Sequence, residues 1–295
     1  MAIRKVQGVS VNVLELNAGG GDPLVMVHGL FTSLAVYALT IAPPLAAQHR
    51  VVLYDLRGHG LSERRDEGYT PAVLAQDLLD LMDDLEIPHA GIVGYSYGGA
   101  VALYTALHHP ERVERLALID GMLLEDNGAR ETHSGTDAGR RGRRSLRDNG
   151  VDEVDTREGE AVAEDASVPA LSDEVIKDYT ASTGIPVTEA NLERLRSIAR
   201  HFLEPERYQA ALRANQQLFD ELSHQGLTIP ALLLYGKQSP YLDRGRTLAS
   251  CIPSAKMRVI KGDHNLPVLQ GERITRSFRN FFDPAQRGRR RKGIL

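Results

Sequence analysis

The spacing of hydrophobic residues along the chain predicts short strands that alternate with amphipathic helices. Residues 9–16 alternate between apolar and polar with a period of two, which predicts an edge strand at the start of a sheet. Two later runs, at 24–28 and 51–54, are almost entirely apolar, as strands buried on both faces are. This alternation of strand and helix is typical of a mostly parallel sheet. The strands after this edge strand are predicted at 24–28, 51–54, 90–95, 115–120, 230–235 and 256–260.

Helical spacing fills the intervals between these strands. The first of these helices contains Pro43 and Pro44, which must bend or restart it because proline donates no backbone hydrogen bond. Thr188 suits the N-cap of a later helix, whose apolar residues recur on one face. Helices are predicted at 33–47, 71–85, 98–108, 188–202, from Pro205 onward, and at 266–282.

The pattern predicts one sheet domain with an insertion. The core is assigned to residues 1–120 and 228–285, with helices on both faces of the sheet, and the insertion, a helical cap, to 121–227. Within the insertion, 125–167 has few large apolar residues and a cluster of four arginines, so we expect it to be partly mobile. The basic tail, 286–295, is expected to be disordered.

Composition narrows the classes of function. The 295 residues carry a formal charge of −4, which offers no basic field for nucleic acid. The single cysteine, Cys251, excludes an internal disulfide and a cysteine-rich zinc site, and favours a reducing cytoplasm. No apolar run approaches the roughly 18 residues of a membrane helix. We therefore expect a cytoplasmic protein that binds a small-molecule substrate and neither nucleic acid nor a membrane. The sequence does not indicate its oligomeric state.

The strongest chemical signal is the sequence Gly94-Tyr95-Ser96-Tyr97-Gly98, which follows a predicted strand and opens a predicted helix. A sharp strand-to-helix turn of this kind lifts the serine hydroxyl above the sheet, and the glycines remove side chains that would collide across the turn. The helix N-terminus behind Ser96 offers free amides to a developing anion. Ser96 is therefore predicted to be a nucleophile.

Four motifs together resemble the α/β-hydrolase superfamily. His28-Gly29-Leu30-Phe31 looks like its oxyanion loop, and residues 55–62, DLRGHGLS, look like the D-x-R-G-x-G-x-S stretch of its lipase, epoxide-hydrolase and dehalogenase-like members. Residues 94–98 match its nucleophile elbow, and Gly262-Asp263-His264 matches its catalytic-histidine loop. The motifs occur in the order of the family and span most of the chain except the insertion.

The resemblance implies a set of roles. His264 would be the base that takes the proton of Ser96, because a serine hydroxyl is a poor nucleophile at neutral pH without one. The backbone amides of Leu30 and Tyr97 would form the oxyanion hole. No cofactor is implied, and the histidines and Cys251 do not cluster at the spacing of metal ligands.

The acid of the triad departs from the family pattern. In most relatives it lies just after the strand that matches residues 231–235, but here a serine, Ser239, stands in its place. Asp120 ends the preceding strand, where some relatives carry the acid, and Asp243 lies a few residues beyond Ser239. A third alternative is a dyad in which Ser239 or a backbone carbonyl holds the imidazole.

These residues predict a serine hydrolase of a carboxylic ester or thioester, acting through an acyl-enzyme on a small or medium apolar molecule. Phe31 and Tyr95 are candidates for the substrate pocket, and the insertion would form a lid. One alternative is a biosynthetic tailoring enzyme that performs thioester release, lactonisation or a cofactor-free lyase reaction. Another is a weakly active ligand receptor or scaffold that lacks the usual acid.

Overall fold

A computed structural model of the chain describes residues 1–6, 8–66, 68–121, 188–202 and 204–283. The stretch predicted to be mobile, 125–167, and the predicted basic tail, 286–295, lie outside these residues. The bounds of the insertion remain a prediction. No helix in the described part is long and apolar enough to cross a membrane.

The described residues form an eight-stranded sheet in the order β1-β2-β4-β3-β5-β6-β7-β8. β2 pairs antiparallel with β1 and β4, and every other pairing is parallel, which confirms the mostly parallel sheet. The strands are β1 (Ala2–Val6), β2 (Val9–Leu16), β3 (Pro23–Val27), β4 (Arg50–Tyr54), β5 (Ala90–Tyr95), β6 (Val113–Ile119), β7 (Ala231–Gly236) and β8 (Ala255–Ile260).

The prediction that 9–16 is the edge strand is wrong. β1 pairs with the outer side of β2, the strand formed by residues 9–16, so β2 lies between β1 and β4. β1 is short, contains Arg4 and Lys5, and is largely exposed, so its sequence carries little of the apolar pattern that marks a strand. The edge of the sheet thus bears charged side chains, as exposed edges commonly do.

The helices agree with the sequence pattern except where backbone geometry interrupts it. The predicted helix 33–47 is two four-residue helices, because Pro43 lies in the first turn of the second. The predicted helix 266–282 breaks at Gln270, and the helix after position 241 was not predicted. The described helices are α1 (Ala35–Ala38), α2 (Ala42–Leu45), α3 (Pro71–Asp84), α4 (Tyr97–His108), α5 (Glu189–Phe202), α6 (Pro205–Gln225), α7 (Leu242–Ser250), α8 (Leu266–Leu269) and α9 (Gly271–Phe282).

Hydrophobic cores lie on both faces of the sheet. One core unites the sheet with α3, α4 and α6, through residues such as Leu78, Val101 and Leu218. The other unites it with α1, α2, α8 and α9, through Tyr37 and Phe278 among others. This arrangement confirms the predicted α/β class, with helices packed on both faces of one sheet.

The register of the central strands brings three chain turns together. Tyr95 at the end of β5 pairs with Ile119 at the end of β6, and Ile119 pairs with Leu234 near the end of β7. Because parallel strands end at the same edge of a sheet, the residues that follow them are neighbours. Ser96 and Asp120 are therefore brought side by side by the sheet alone.

Candidate active site

Ser96 occupies a strained turn between β5 and α4. Its backbone has φ 53° and ψ −124°, a conformation that non-glycine residues rarely adopt. A Cβ added at Gly94 would lie 2.4 Å from the carbonyl oxygen of Gly98, and one at Gly98 would lie 2.3 Å from that of Val27. The two glycines are thus what allows the chain to turn this tightly, as the sequence motif predicts.

The surroundings of Ser96 contain the backbone groups that the sequence nominates for an oxyanion hole. Tyr97 is the first residue of α4, so its amide has no acceptor within the helix. A Cβ at Gly29 would lie 2.7 Å from Cβ of Ser96, so the segment that carries Leu30 passes directly beside the nucleophile. An oxyanion hole formed by the amides of Leu30 and Tyr97 is compatible with this placement.

Ser96, His264 and Asp120 form one hydrogen-bonded chain. Oγ of Ser96 lies 3.0 Å from Nε2 of His264, and Nδ1 of His264 lies 2.7 Å from Oδ2 of Asp120. Ser96 is 6% exposed and Asp120 is fully buried. With Nδ1–H donated to the carboxylate, Nε2 is the acceptor for the serine proton, which is the tautomer that general-base chemistry requires.

Both oxygens of the Asp120 carboxylate accept hydrogen bonds in addition to the one from His264. Its Oδ1 accepts a hydrogen bond from the amide of Gly236 at 2.9 Å, and its Oδ2 accepts one from the hydroxyl of Ser239 at 2.5 Å. The backbone of Asp120 has φ 46°, and its amide donates to the carbonyl of Leu234 at 2.7 Å. Hydrogen bonds to a buried carboxylate stabilise its charged form, which offsets the cost of burial.

In the described contacts, the imidazole is held neither by Asp243 nor by Asp263, the residue that precedes His264 in the chain. Asp243 is in the first turn of α7, largely exposed, and pairs with Arg246 at 2.6 Å. Asp263 accepts a hydrogen bond from the amide of Asn265 at 2.8 Å, within its own loop. Ser239 contacts the carboxylate of Asp120 and not the imidazole. Of the three alternatives, the structure places Asp120 against His264.

Two tyrosines hold the His264 loop. The hydroxyl of Tyr95 donates to the backbone carbonyl of His264 at 3.1 Å, and the ring of Tyr241 meets the imidazole edge to face at 4.8 Å between centroids. Tyr95 is only 2% exposed. It therefore supports the loop from the core side and has little surface left for the substrate contact that its sequence position suggests.

The DLRGHGLS stretch braces the proposed oxyanion loop. Nε2 of His28 accepts the amide of Leu56 at 3.0 Å, while its Nδ1 donates to the carbonyl of Gly29 at 2.7 Å. The Asp55 carboxylate accepts the amides of Leu34 and Leu61, at 2.8 and 2.9 Å. This network joins the chain after β3 to the chain after β4.

The histidines of this network are buried and neutral. Burial and, to a smaller extent, the neighbouring His28 lower the pKa of His59 to about 3. Burial also lowers the pKa of His28, against the opposing effect of Asp55. Their role here is to shape the loops by hydrogen bonding, in agreement with the sequence interpretation that kept His264 as the base.

Phe31 joins the proposed oxyanion loop to α5. Its backbone has φ 63°, and its side chain packs against Leu192 and Leu195 and meets the ring of Phe202 edge to face. Phe202 also contacts the ring of Tyr97, at 5.7 Å between centroids. Phe31 therefore lies where the sheet domain meets the first described helix of the predicted cap, the position expected of a residue that shapes an apolar pocket.

The contacts at the site that were not predicted include the Tyr241 ring against His264, the Phe202 ring against Tyr97, and the Ser239 hydroxyl on Asp120. The apolar face of α5 predicts that Phe202 is buried, but no local pattern indicates its partners.

In the described part of the chain, no group of three or more His, Cys, Asp or Glu side chains could hold a metal ion.

A serine on a strained strand-to-helix turn, paired with a histidine and a buried carboxylate, is the arrangement that nucleophilic catalysis by a serine requires. The family model described as "alpha/beta hydrolase fold" matches residues 22–269. The chain belongs to the α/β hydrolase family, and the resemblance inferred from its motifs is confirmed.

Curated relatives match over part of their length. The 2-hydroxymuconate semialdehyde hydrolase of Pseudomonas sp. (strain CF600) is 39% identical over 115 residues, which are 38% of this chain and 40% of that protein. Esterase YbfF of Escherichia coli (strain K12) is 41% identical over 105 residues, which are 35% of this chain and 40% of that protein. The chain spans about 40% of the length of these relatives.

Solved structures resemble the chain over almost its whole length. The enol-lactonase from Burkholderia xenovorans LB400 has a TM-score of 0.66 at 23% identity, covering 96% of this chain and 100% of that one. An A129V mutant of a meta-cleavage product hydrolase, CumD, has a TM-score of 0.68 at 21% identity, covering 96% and 98%. At these identities the likeness shows a shared fold.

Proposed function

We propose that the protein is a serine hydrolase that cleaves a carboxylic ester or thioester of a small or medium apolar molecule. The hydrogen-bonded chain from Ser96 through His264 to Asp120 is the observation that carries this proposal. An esterase among the relatives agrees with it. Cytoplasmic localisation and a small-molecule partner remain predictions from the sequence.

The proposed reaction has two halves. The Ser96 oxygen attacks the carbonyl carbon while Nε2 of His264 takes its proton, and the negative charge on the carbonyl oxygen is held by the amides of Leu30 and Tyr97. The imidazolium then gives the proton to the leaving alcohol or thiol as the carbon–oxygen or carbon–sulfur bond breaks. Asp120 stabilises the imidazolium in both halves. Water, activated by His264, finally releases the acid from Ser96.

The identity of the nucleophile separates this proposal from one other activity among the relatives. A soluble epoxide hydrolase of Corynebacterium sp. (strain C12) is 37% identical over 105 residues. Members of the superfamily that open epoxides or remove halides would be expected to carry aspartate at the nucleophile, and this chain carries Ser96. Attack by a serine on an acyl carbon is the chemistry that the residues favour.

A second candidate is hydrolysis of a carbon–carbon bond. The 2-hydroxymuconate semialdehyde hydrolase among the relatives favours it, and the same serine, histidine and acid are compatible with such a reaction. In that case the proton delivered by His264 would go to a carbon leaving group. Assays with 2-hydroxymuconate semialdehyde beside simple esters and thioesters compare the candidates directly.

A fluorophosphonate probe tests the activated serine. We expect one stoichiometric adduct per chain, found by intact mass, in the wild type and none in Ser96→Ala. Ser223→Ala is a matched control, because Ser223 lies on α6 and bonds only the local carbonyl of Phe219 and the thiol of Cys251 among its described contacts. Absence of an adduct in the wild type would favour the receptor or scaffold alternative.

Labelled water then separates hydrolysis from acyl transfer or cyclisation. With an ester substrate in water enriched in oxygen-18, the released acid carries the label if water cleaves the acyl-enzyme. Loss of steady-state turnover in Ser96→Ala shows that this label entered through the site described above. An unlabelled product would instead support a tailoring reaction.

A further inference from the structure

The hydroxyl of Ser239 has one possible direction for its proton. Oγ accepts a hydrogen bond from the amide of Tyr241 at 3.0 Å, and an amide can only donate. Its own hydrogen is therefore available for the partner at 2.5 Å, which is Oδ2 of Asp120. Ser239 thus acts as a relay that ties the Asp120 carboxylate to the backbone of the turn after β7.

The same carboxylate oxygen serves His264. Oδ2 of Asp120 receives Nδ1–H of the imidazole at 2.7 Å in addition to the hydroxyl of Ser239. The amide of Gly236 holds only the other oxygen, Oδ1. Without Ser239, the oxygen that faces His264 would have no second donor to fix the direction of its lone pairs.

Two backbone hydrogen bonds hold the turn that carries Ser239. The amide of Ser239 donates to the carbonyl of Gly236 at 3.1 Å, and the amide of Gln238 donates to the carbonyl of Gly262 at 2.9 Å. Ser239 is 9% exposed, so its hydroxyl does not exchange this contact freely for water. The turn is linked to the Gly262 end of the loop that bears His264, so Ser239 joins the acid and the base to one frame.

We propose that Ser239 is a positioning residue of the site, whose hydroxyl fixes the Asp120 carboxylate in the orientation that holds His264 for proton transfer. This inference rests on the proposed function, because it assigns Ser239 a role in activating Ser96. Ser239 does not touch Ser96, so it acts on the reaction through Asp120 and His264.

The test measures the rate of fluorophosphonate labelling and the steady-state constants for a short-chain ester in Ser239→Ala and Ser239→Thr. Loss of a hydrogen bond to a charged group corresponds to roughly a tenfold or larger effect, so we expect Ser239→Ala to lower kcat and the labelling rate by about that factor. KM should stay within about twofold because Ser239 lies behind the acid. Ser239→Thr keeps the hydroxyl and should recover most of the rate.

A matched control separates positioning from general stability. Ser254 is another partly buried serine that lies away from the site. Its hydroxyl donates a hydrogen bond of 2.5 Å to the carbonyl of Ile229. We expect Ser254→Ala to change thermal stability without changing kcat. If Ser239→Ala labels and turns over like the wild type, or if Ser239→Thr is as slow as Ser239→Ala, the positioning role is wrong.

Failure of the proposed function gives a different result. A wild-type protein that forms no adduct overturns the activated serine and, with it, the role of Ser239. A wild-type protein whose adduct depends on Ser96 but whose rate ignores Ser239 overturns only the positioning role. Labelling that slows in Ser239→Ala supports the inference even where the natural substrate is not an ester.

Discussion

Replacing Asp120 by asparagine should disable His264 by fixing the wrong tautomer. The amide of Gly236 donates to Oδ1 of Asp120, so the side-chain oxygen of an asparagine is held at that position. Its NH₂ group then occupies the place of Oδ2, facing Nδ1 of His264 and the hydroxyl of Ser239. A donor there requires Nδ1 to be an acceptor, which leaves the proton on Nε2, where it cannot receive that of Ser96.

The expected loss is large. In a serine protease, the corresponding exchange lowers kcat by roughly 10⁴, about 5.5 kcal/mol of transition-state stabilisation. We expect Asp120→Asn to approach that loss in kcat and in the rate of fluorophosphonate labelling, with a melting temperature near that of the wild type. Asparagine tolerates the positive φ at this position, so the fold is retained.

Geometry also predicts a compensating change. The Ser239 hydroxyl and Nδ1 of His264 contact the same oxygen, at 2.5 and 2.7 Å, and an aspartate at 239 reaches one bond further than serine. Asp120→Asn combined with Ser239→Asp should therefore regain at least about tenfold in kcat over Asp120→Asn alone. Asp243→Asn, on the exposed start of α7, should be neutral. Full activity in Asp120→Asn, or a large loss in Asp243→Asn, would refute the assignment of the acid.

Two further expectations concern stability. The buried His59, with its pKa lowered to about 3, binds fewer protons folded than unfolded, so its contribution is complete above about pH 6.5 and is lost as pH falls towards 3. Between pH 7.5 and pH 5.5, this group should lower the free energy of unfolding, measured by urea titration, by up to about 1.4 kcal/mol. The decrease should be absent in His59→Gln, and an equal decrease in that variant would contradict the assignment. The free energy of unfolding of Phe31→Gly should be about 1 kcal/mol larger than that of Phe31→Ala, because the backbone of residue 31 has φ 63°, which glycine adopts without strain. Both variants lose the contact with Leu192 and should have a lower kcat/KM for apolar esters. An alanine variant that is more stable than the glycine variant in the same urea titrations would contradict this expectation.

Local sequence predicts most of the sheet domain because its signals are short in range. The alternation of short strand-like and longer helix-like segments predicts every strand from β3 to β8, and the Gly94–Gly98 motif predicts the turn on which Ser96 lies. Errors fall where local pattern conflicts with packing. β1 is short and charged, so only its pairing with β2 makes it a strand.

Long-range contacts are what the sequence does not supply. Phe202 is predicted to face a core, but its contacts with Phe31 and Tyr97 depend on how α5 lies against the oxyanion loop. The ring of Tyr241 likewise reaches His264 across the loop after β7. Nothing within a few residues of Phe202 or Tyr241 indicates these neighbours, because the partners are distant in sequence.

The acid illustrates how topology resolves what motif spacing leaves open. From sequence, a serine at position 239 reads as a missing carboxylate, and a dyad is a reasonable alternative. In the fold, β6 and β7 are adjacent parallel strands, so the residues that follow the two strands are neighbours, and Asp120 holds the imidazole of His264. The hydroxyl of Ser239 lies 2.5 Å from Oδ2 of Asp120, to which it donates a hydrogen bond. The carboxylate and the hydroxyl are therefore complementary parts of one arrangement, and the departure at 239 is explained by the aspartate at the end of the neighbouring strand.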